Sequence, residues 1–201
     1  MTADARTIEA YSQRVSDYQE MVDSPSDYRN LQKFIDSLPD GARVFDIGAG
    51  PGHDALRMTK AGLNVTALEP TPEFADLIEK HGIRVQRKTF SGINEINYFD
   101  GAWASFSLLH ARRTDLPNHL NQIAVALKPG GQFVLGMKTG SGETRDRFGR
   151  FYCYYAKHEL IGLLQDAGFI FQDSKEGSAR GLAGDREPYV IINAELNLPG
   201  E

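Results

Sequence analysis

Apolar residues change their spacing several times along the chain, and each change marks an element. From Thr7 to Met21 and from Ser26 to Leu38 they recur at helical spacing, with Ser24-Pro25 breaking the pattern between them. From Ala42 onward, short continuous apolar runs alternate with helical stretches. RVFDI (43–47) passes through a glycine-rich turn into HDALRMTKAG (53–62), and NVTALEP (64–70) follows. Thr71 is an N-cap candidate ahead of Pro72, so a helix is expected through His81, then a third strand over RVQRKT (84–89). A fourth strand is expected over 99–106. The next helix runs from Asp115 to Leu127, where Lys128-Pro129-Gly130-Gly131 stops it, and QFVLGMK (132–138) is a fifth strand.

Residues 139–155 break this rhythm and read as an irregular segment rich in Gly, Arg and aromatic residues. A helix over 156–169 ends at Gly168. Two strand-like runs, IFQDSKE (170–176) and PYVIINAEL (188–196), close the pattern with no helix between them. Parallel strands need crossover helices, whereas strands joined by a turn pair antiparallel. The expected class is therefore α/β: a Rossmann-like, doubly wound, mostly parallel seven-stranded sheet with one antiparallel strand near the C-terminal edge. One domain accounts for residues 1–201, with helices over 1–40 ahead of an α/β core over 42–201.

Charge and cysteine usage narrow the function. A formal net charge of −5 disfavours nucleic acid, whose non-specific affinity comes from Lys and Arg neutralising phosphates. Cys153 is the only cysteine, so neither an intramolecular disulfide nor a paired-cysteine metal site can form, and no metal is expected. No apolar run approaches membrane-spanning length. These features fit a cytoplasmic protein without a membrane partner.

The candidate chemistry lies in VFDIGAGPGHD (44–54), where a strand turns through Gly48, Gly50 and Gly52 into a helix. A bare strand-to-helix turn needs one glycine; three at alternate positions suit a backbone that a ligand approaches closely. The dinucleotide fingerprint G-x-G-x-x-G fails, because its third glycine would fall on His53. A phosphate loop fails too, since no Gly-Lys-Ser/Thr follows. Glu69 ends the second strand, where a carboxylate can accept hydrogen bonds from both ribose hydroxyls.

Asp46, the G-x-G-x-G loop and Glu69 together resemble the donor site of class I S-adenosylmethionine-dependent methyltransferases. The likeness extends over residues 42–169, with Ser105-Phe106-Ser107 after the fourth strand and Lys128-Pro129-Gly130-Gly131 as the entry to the fifth. Residues 149–155 look similar to small-molecule members, including the tellurite-resistance-like branch. The resemblance implies S-adenosylmethionine as cofactor, held by Asp46, Gly48, Ala49, Gly50, Gly52, His53, Asp54, Glu69, Pro70, Ser105 and Phe106, with Tyr11 and Tyr18 folding over it from the N-terminal helices. It makes the last two strands the family's inserted antiparallel strand and its partner. Two departures matter. Lys88-Thr89-Phe90 stands where an acid commonly holds adenine, which leaves Thr89 backbone groups and Phe90 packing for that role. The Asn-Pro-Pro-Tyr signature of amino-directed DNA and protein enzymes is absent.

A small-molecule acceptor is therefore expected. Because the sulfonium donor is already activated, the protein mainly aligns acceptor and methyl group. His110 is the candidate general base, or else a residue that packs against the sheet end. Arg113, Arg150, Tyr152 and Tyr155 are candidate acceptor contacts, drawn from an arginine group (112, 113, 145, 147, 150) that could select an anion and an aromatic group (148, 151, 152, 154, 155) that could equally be core. The alternatives are a nicotinamide-dependent oxidoreductase and a non-catalytic adenosyl-ligand-binding protein.

Overall fold

The computed structural model describes residues 4–23 and 28–197. The Ser24-Pro25 break and the expected helix start at Ser26 lie outside the described residues. Three short helices come first: α1 (Ala5–Ser12), α2 (Val15–Asp23) and α3 (Arg29–Asp36). The continuous helix expected over 7–21 is thus two helices, parted at Gln13-Arg14, where the Arg14 N–H turns back to the Tyr11 carbonyl. Asp4 caps α1 by accepting the Thr7 N–H at 3.1 Å.

The α/β core runs β1 (Arg43–Ile47), α4 (His53–Lys60), β2 (Asn64–Leu68), α5 (Pro72–Lys80), β3 (Arg84–Gln86), β4 (Phe99–Ser105), α6 (Leu116–Ala126) and β5 (Leu127–Lys138). It continues with β6 (Glu143–Arg145), β7 (Phe151–Cys153), α7 (Lys157–Asp166), β8 (Phe169–Arg180) and β9 (Arg186–Leu196). Seven strands form one sheet in the order β3-β2-β1-β4-β5-β9-β8. β9 is antiparallel to both neighbours and all other pairings are parallel, as the alternating pattern implies. Strand order reverses between β1 and β4, and open α/β sheets bind ligands beyond the carboxyl ends of strands at such a switch.

Helices cover both faces, which is why the central strands are nearly continuous apolar runs. On one face Leu31, Phe34, Val44, Met58, Trp103 and Val134 pack together; on the other, Phe45, Phe99, Leu120, Phe133 and Leu164. The Phe45 and Phe99 rings stack at 4.5 Å.

Three local readings need correction. β3 stops at Gln86, and Phe90–Gly92 form a single 3-10 turn, so Thr89 is not in a strand. Lys128-Pro129-Gly130-Gly131 stops α6 but belongs to β5, which starts at Leu127 and absorbs the tract through a register shift between Phe99 and Gly101. Residues 139–155 are not wholly irregular, since β6 and β7 form a two-stranded antiparallel ribbon. β8 and β9 also outrun the sheet. β5 pairs with β9 only over Tyr189–Glu195, and beyond Tyr189 β8 and β9 form a two-stranded arm in which Ser178 opposes Pro188 and Arg180 opposes Arg186.

Candidate active site

The loop after β1 sits at the switch point, and its three glycines do different work. All three have positive φ. At Gly48 a Cβ would lie 2.4 Å from Cβ of Ser107, so this glycine admits the chain leaving β4; the Ser107 hydroxyl in turn donates to the Ile47 carbonyl. At Gly50 a Cβ would come 3.4 Å from the Tyr18 ring, which lies over the loop. At Gly52 a Cβ would meet Ile78 of α5 at 2.6 Å. Gly52 therefore also serves the packing of the loop against α5. Phe106, just past β4, is a bulky residue at φ 56, a conformation that persists only where the surroundings enforce it. Its N–H donates to the Gly136 carbonyl and its ring meets Tyr189 edge-on at 5.4 Å.

Three carboxylates converge beneath this loop. Glu69 is 4% exposed; its Oε2 accepts the Gly50 N–H at 2.8 Å and its Oε1 the Thr71 N–H at 2.7 Å. Burial pushes its pKa up to about 7, against the pull of those hydrogen bonds. Asp54 accepts the Trp103 indole N–H at 3.0 Å, and burial raises its pKa as well. Asp46 is 2% exposed and its Oδ2 has no hydrogen-bond partner; burial, then Asp54 and Glu69, hold its pKa well above the ordinary range. A buried carboxylate with one unpartnered oxygen among the described residues, beside two others, suits a cationic ligand, which would relieve the repulsion. Each Glu69 oxygen keeps a second lone pair for a ligand hydroxyl.

The N-terminal helices form the opposite wall. Tyr11 and Tyr18 pack edge-on at 5.2 Å, and both rings contact Phe74 of α5. His110 lies in the turn after β4. Its Nδ1 is 2.6 Å from the Phe151 carbonyl and its Nε2 is 2.9 Å from the Tyr11 hydroxyl. A carbonyl only accepts, so Nδ1 carries the proton, and Nε2 accepts from Tyr11. Burial, with help from Arg150 and Lys138, lowers the His110 pKa to about 4, so the ring is neutral near pH 7. Arg150 extends the chain of contacts, donating from Nη1 to the Tyr11 hydroxyl at 3.1 Å and from Nε and Nη2 to Asp146. The α1 helix is also latched to the β6–β7 ribbon: Asp4 takes two hydrogen bonds from Arg145, and Thr7 Oγ1 accepts the Phe151 N–H at 2.8 Å.

These walls enclose a cavity of about 660 Å3, within the range of small-molecule sites. Asp46, Gly48, Ala49, Gly50, His53, Asp54, Ser105, Phe106, Tyr11, Tyr18, His110, Arg150 and Tyr152 all line it. A smaller chamber of about 70 Å3 behind Tyr11 reaches Glu69, Pro70 and Phe90. The structure does not bring Thr89, Arg113 or Tyr155 to either space. Thr89 bonds Ser91. Arg113 donates to Glu159 and to the Tyr154 carbonyl and lies over the ring of Tyr155, which is core. The sequence reading missed Trp103, Lys138, Lys175, Tyr189 and the arm residues Arg180 and Glu187, all of which line the larger cavity. Among the described residues, no cluster of His, Cys, Asp and Glu could hold a metal ion, and no helix is long and apolar enough to cross a membrane.

Known proteins are similar to this chain. A family model described as a methyltransferase domain matches residues 18–171. The S-adenosyl-L-methionine-dependent Diels-Alderase iccD of Talaromyces variabilis is 26% identical, over 78% of this chain and 62% of its own length. A ubiquinone biosynthesis O-methyltransferase of Xanthomonas oryzae pv. oryzae is 31% identical, over 47% of this chain and 42% of its own. The chain thus spans less than two thirds of these relatives. The structure of Burkholderia thailandensis 1,6-didemethyltoxoflavin-N1-methyltransferase, with bound 1,6-didemethyltoxoflavin and S-adenosylhomocysteine, superposes with a TM-score of 0.72 at 27% identity, over 94% of this chain and 88% of that one.

Proposed function

The chain belongs to the methyltransferase-domain family, and from that premise we propose that it transfers a methyl group from S-adenosylmethionine to a small acceptor bound in the larger cavity. The carrying observation is the carboxylate set under the glycine loop: Glu69 fixed by Gly50 and Thr71, and Asp46 buried with an unpartnered oxygen. S-adenosylmethionine, when bound, supplies a methyl group on positively charged sulfur. Glu69 would accept its ribose hydroxyls, Asp46 and Asp54 would face its cationic end, and Phe90 would pack near its base. Tyr11 and Tyr18 exclude water from above, and Phe106 borders the acceptor side.

In this reading His110 is a positioning residue. Both ring nitrogens are already engaged, and a neutral imidazole surrounded by Arg150 and Lys138 resists a second proton. The likeness of residues 149–155 to the tellurite-resistance-like branch is one of segment only, and we assign no tellurite chemistry to it. We take residues 1–201 as one cytoplasmic domain that acts on neither nucleic acid nor membrane, a reading supported by the net charge of −5 and lone cysteine.

A second reading is favoured by the same engagement of both His110 nitrogens. The donor could be retained as a structural group while the cavity aligns a substrate for ring closure, the activity named for the Talaromyces variabilis relative. Turnover with a panel of small acceptors separates the two. Methyl transfer yields S-adenosylhomocysteine and a product heavier by one CH2, whereas cyclisation leaves the mass unchanged.

A further inference from the structure

Arg150 is the least expected feature of the cavity wall. Its side chain is 2% exposed and lines the ligand space. Of its five N–H groups, Nε–H and one on Nη2 go to Asp146, and one on Nη1 goes to the Tyr11 hydroxyl. Among the described residues, one N–H on each terminal nitrogen has no partner. Its counter-ion Asp146 does not line the cavity, so the guanidinium meets the ligand space with its neutralising carboxylate set back from it. Around it stand Tyr152, whose ring lies 5.3 Å from the guanidinium carbon, and Lys138, which is paired with Glu187. Phe106 and Tyr189 add flat apolar walls.

We propose that Arg150 is the specificity determinant for the acceptor, and that the acceptor is a planar molecule carrying a carboxylate or a comparably acidic oxygen that takes the two remaining N–H groups. A guanidinium matches such a two-oxygen edge with parallel charge-assisted hydrogen bonds, a geometry an ammonium cannot supply. This inference rests on the methyl-transfer reading, because it places the acceptor beside the donor pocket. It also makes a base unnecessary for binding, since the acceptor arrives ionised. Because Arg150 holds the Tyr11 hydroxyl as well, the acceptor's anion and the α1 wall meet at one side chain.

The test uses the full chain and two probes of equal shape, benzoate and benzamide, titrated by ligand-observed NMR with S-adenosylhomocysteine saturating. Benzoate is expected to bind at least tenfold more tightly than benzamide. Arg150→Gln is expected to abolish that preference while S-adenosylhomocysteine affinity stays within threefold. Arg150→Lys keeps a cation beside Asp146, and therefore the fold, and is expected to weaken benzoate at least fivefold. Equal binding of the two probes by the unmodified protein would overturn the proposal, as would a preference for benzoate that survives both substitutions. Failure of S-adenosylhomocysteine itself to bind would instead remove the donor reading, and the proposal with it.

Discussion

The backbone N–H of Gly50 donates to Oε2 of Glu69 at 2.8 Å, which makes the loop after β1 and the end of β2 a single unit. The same carboxylate holds Thr71 at the start of α5. Replacing Glu69 with Ala removes both anchors together with the acceptors for a ribose. S-adenosylhomocysteine should bind at least tenfold more weakly to Glu69→Ala in calorimetry, a loss of about 1.4 kcal/mol or more. An unchanged affinity would take Glu69 out of the site.

Two buried groups give stability opposite pH dependences. Glu69 titrates near 7 in the fold against an ordinary 4.5, so between those values the folded chain holds a proton that the unfolded chain has released. Its contribution therefore falls as pH rises through that window, by at most about 3 kcal/mol. His110, lowered from 6.5 to about 4, stays neutral where the unfolded chain becomes charged. Its contribution is present above about 6.5 and is lost as pH falls toward 4. The two windows overlap between about 4.5 and 6.5, so urea unfolding from pH 4 to 8 should show Glu69→Gln making the slope of stability against pH more positive and His110→Gln making it more negative. Slopes identical to those of the unmodified protein would contradict both assignments.

Gly52 and Ile78 give a packing test separate from ligand binding. Gly52→Ala meets both a positive φ and a 2.6 Å approach to Ile78, and should cost about 2–3 kcal/mol. Pairing it with Ile78→Ala removes the clash but not the backbone strain. A double-mutant cycle should return a coupling of about 1 kcal/mol or more. Strict additivity would mean that the helix does not lie where the structure puts it.

The latch between Asp4 and Arg145 tests the α1 wall. Arg145 holds the Asp4 carboxyl down to about 2. Both side chains are partly exposed, so the pair is worth about 1 kcal/mol or less. Arg145→Met should speed amide exchange within α1 up to about fivefold while leaving the β-sheet amides unchanged, as read by hydrogen–deuterium exchange. Equal rates in α1 would show that Thr7 and Tyr11 hold the helix without the latch.

Much of this was legible in the sequence because period and punctuation act locally. The β1–α4–β2 unit, the Thr71-Pro72 start of α5 and the closing antiparallel strand follow from runs of a few residues, and Asp46, the glycine loop and Glu69 lie within that reach. Gly52 shows the limit, since its close approach to Ile78 is not readable from the spacing of the loop. Arg113 and Arg150 show it again: both are arginines near strand ends, and only the fold sends one to Glu159 and the other into the cavity. The arm formed by β8 and β9 was invisible as a wall because strand length alone does not say how far a partner extends.

Thermal unfolding with S-adenosylmethionine, S-adenosylhomocysteine or NAD tests the central claim, that the loop and carboxylates form an adenosyl-sulfonium donor site, most directly. Ligand at a hundred times its dissociation constant adds about 2.7 kcal/mol to folding. The account predicts a clear rise in midpoint with either sulfur ligand and none with NAD. A rise with NAD alone would contradict it.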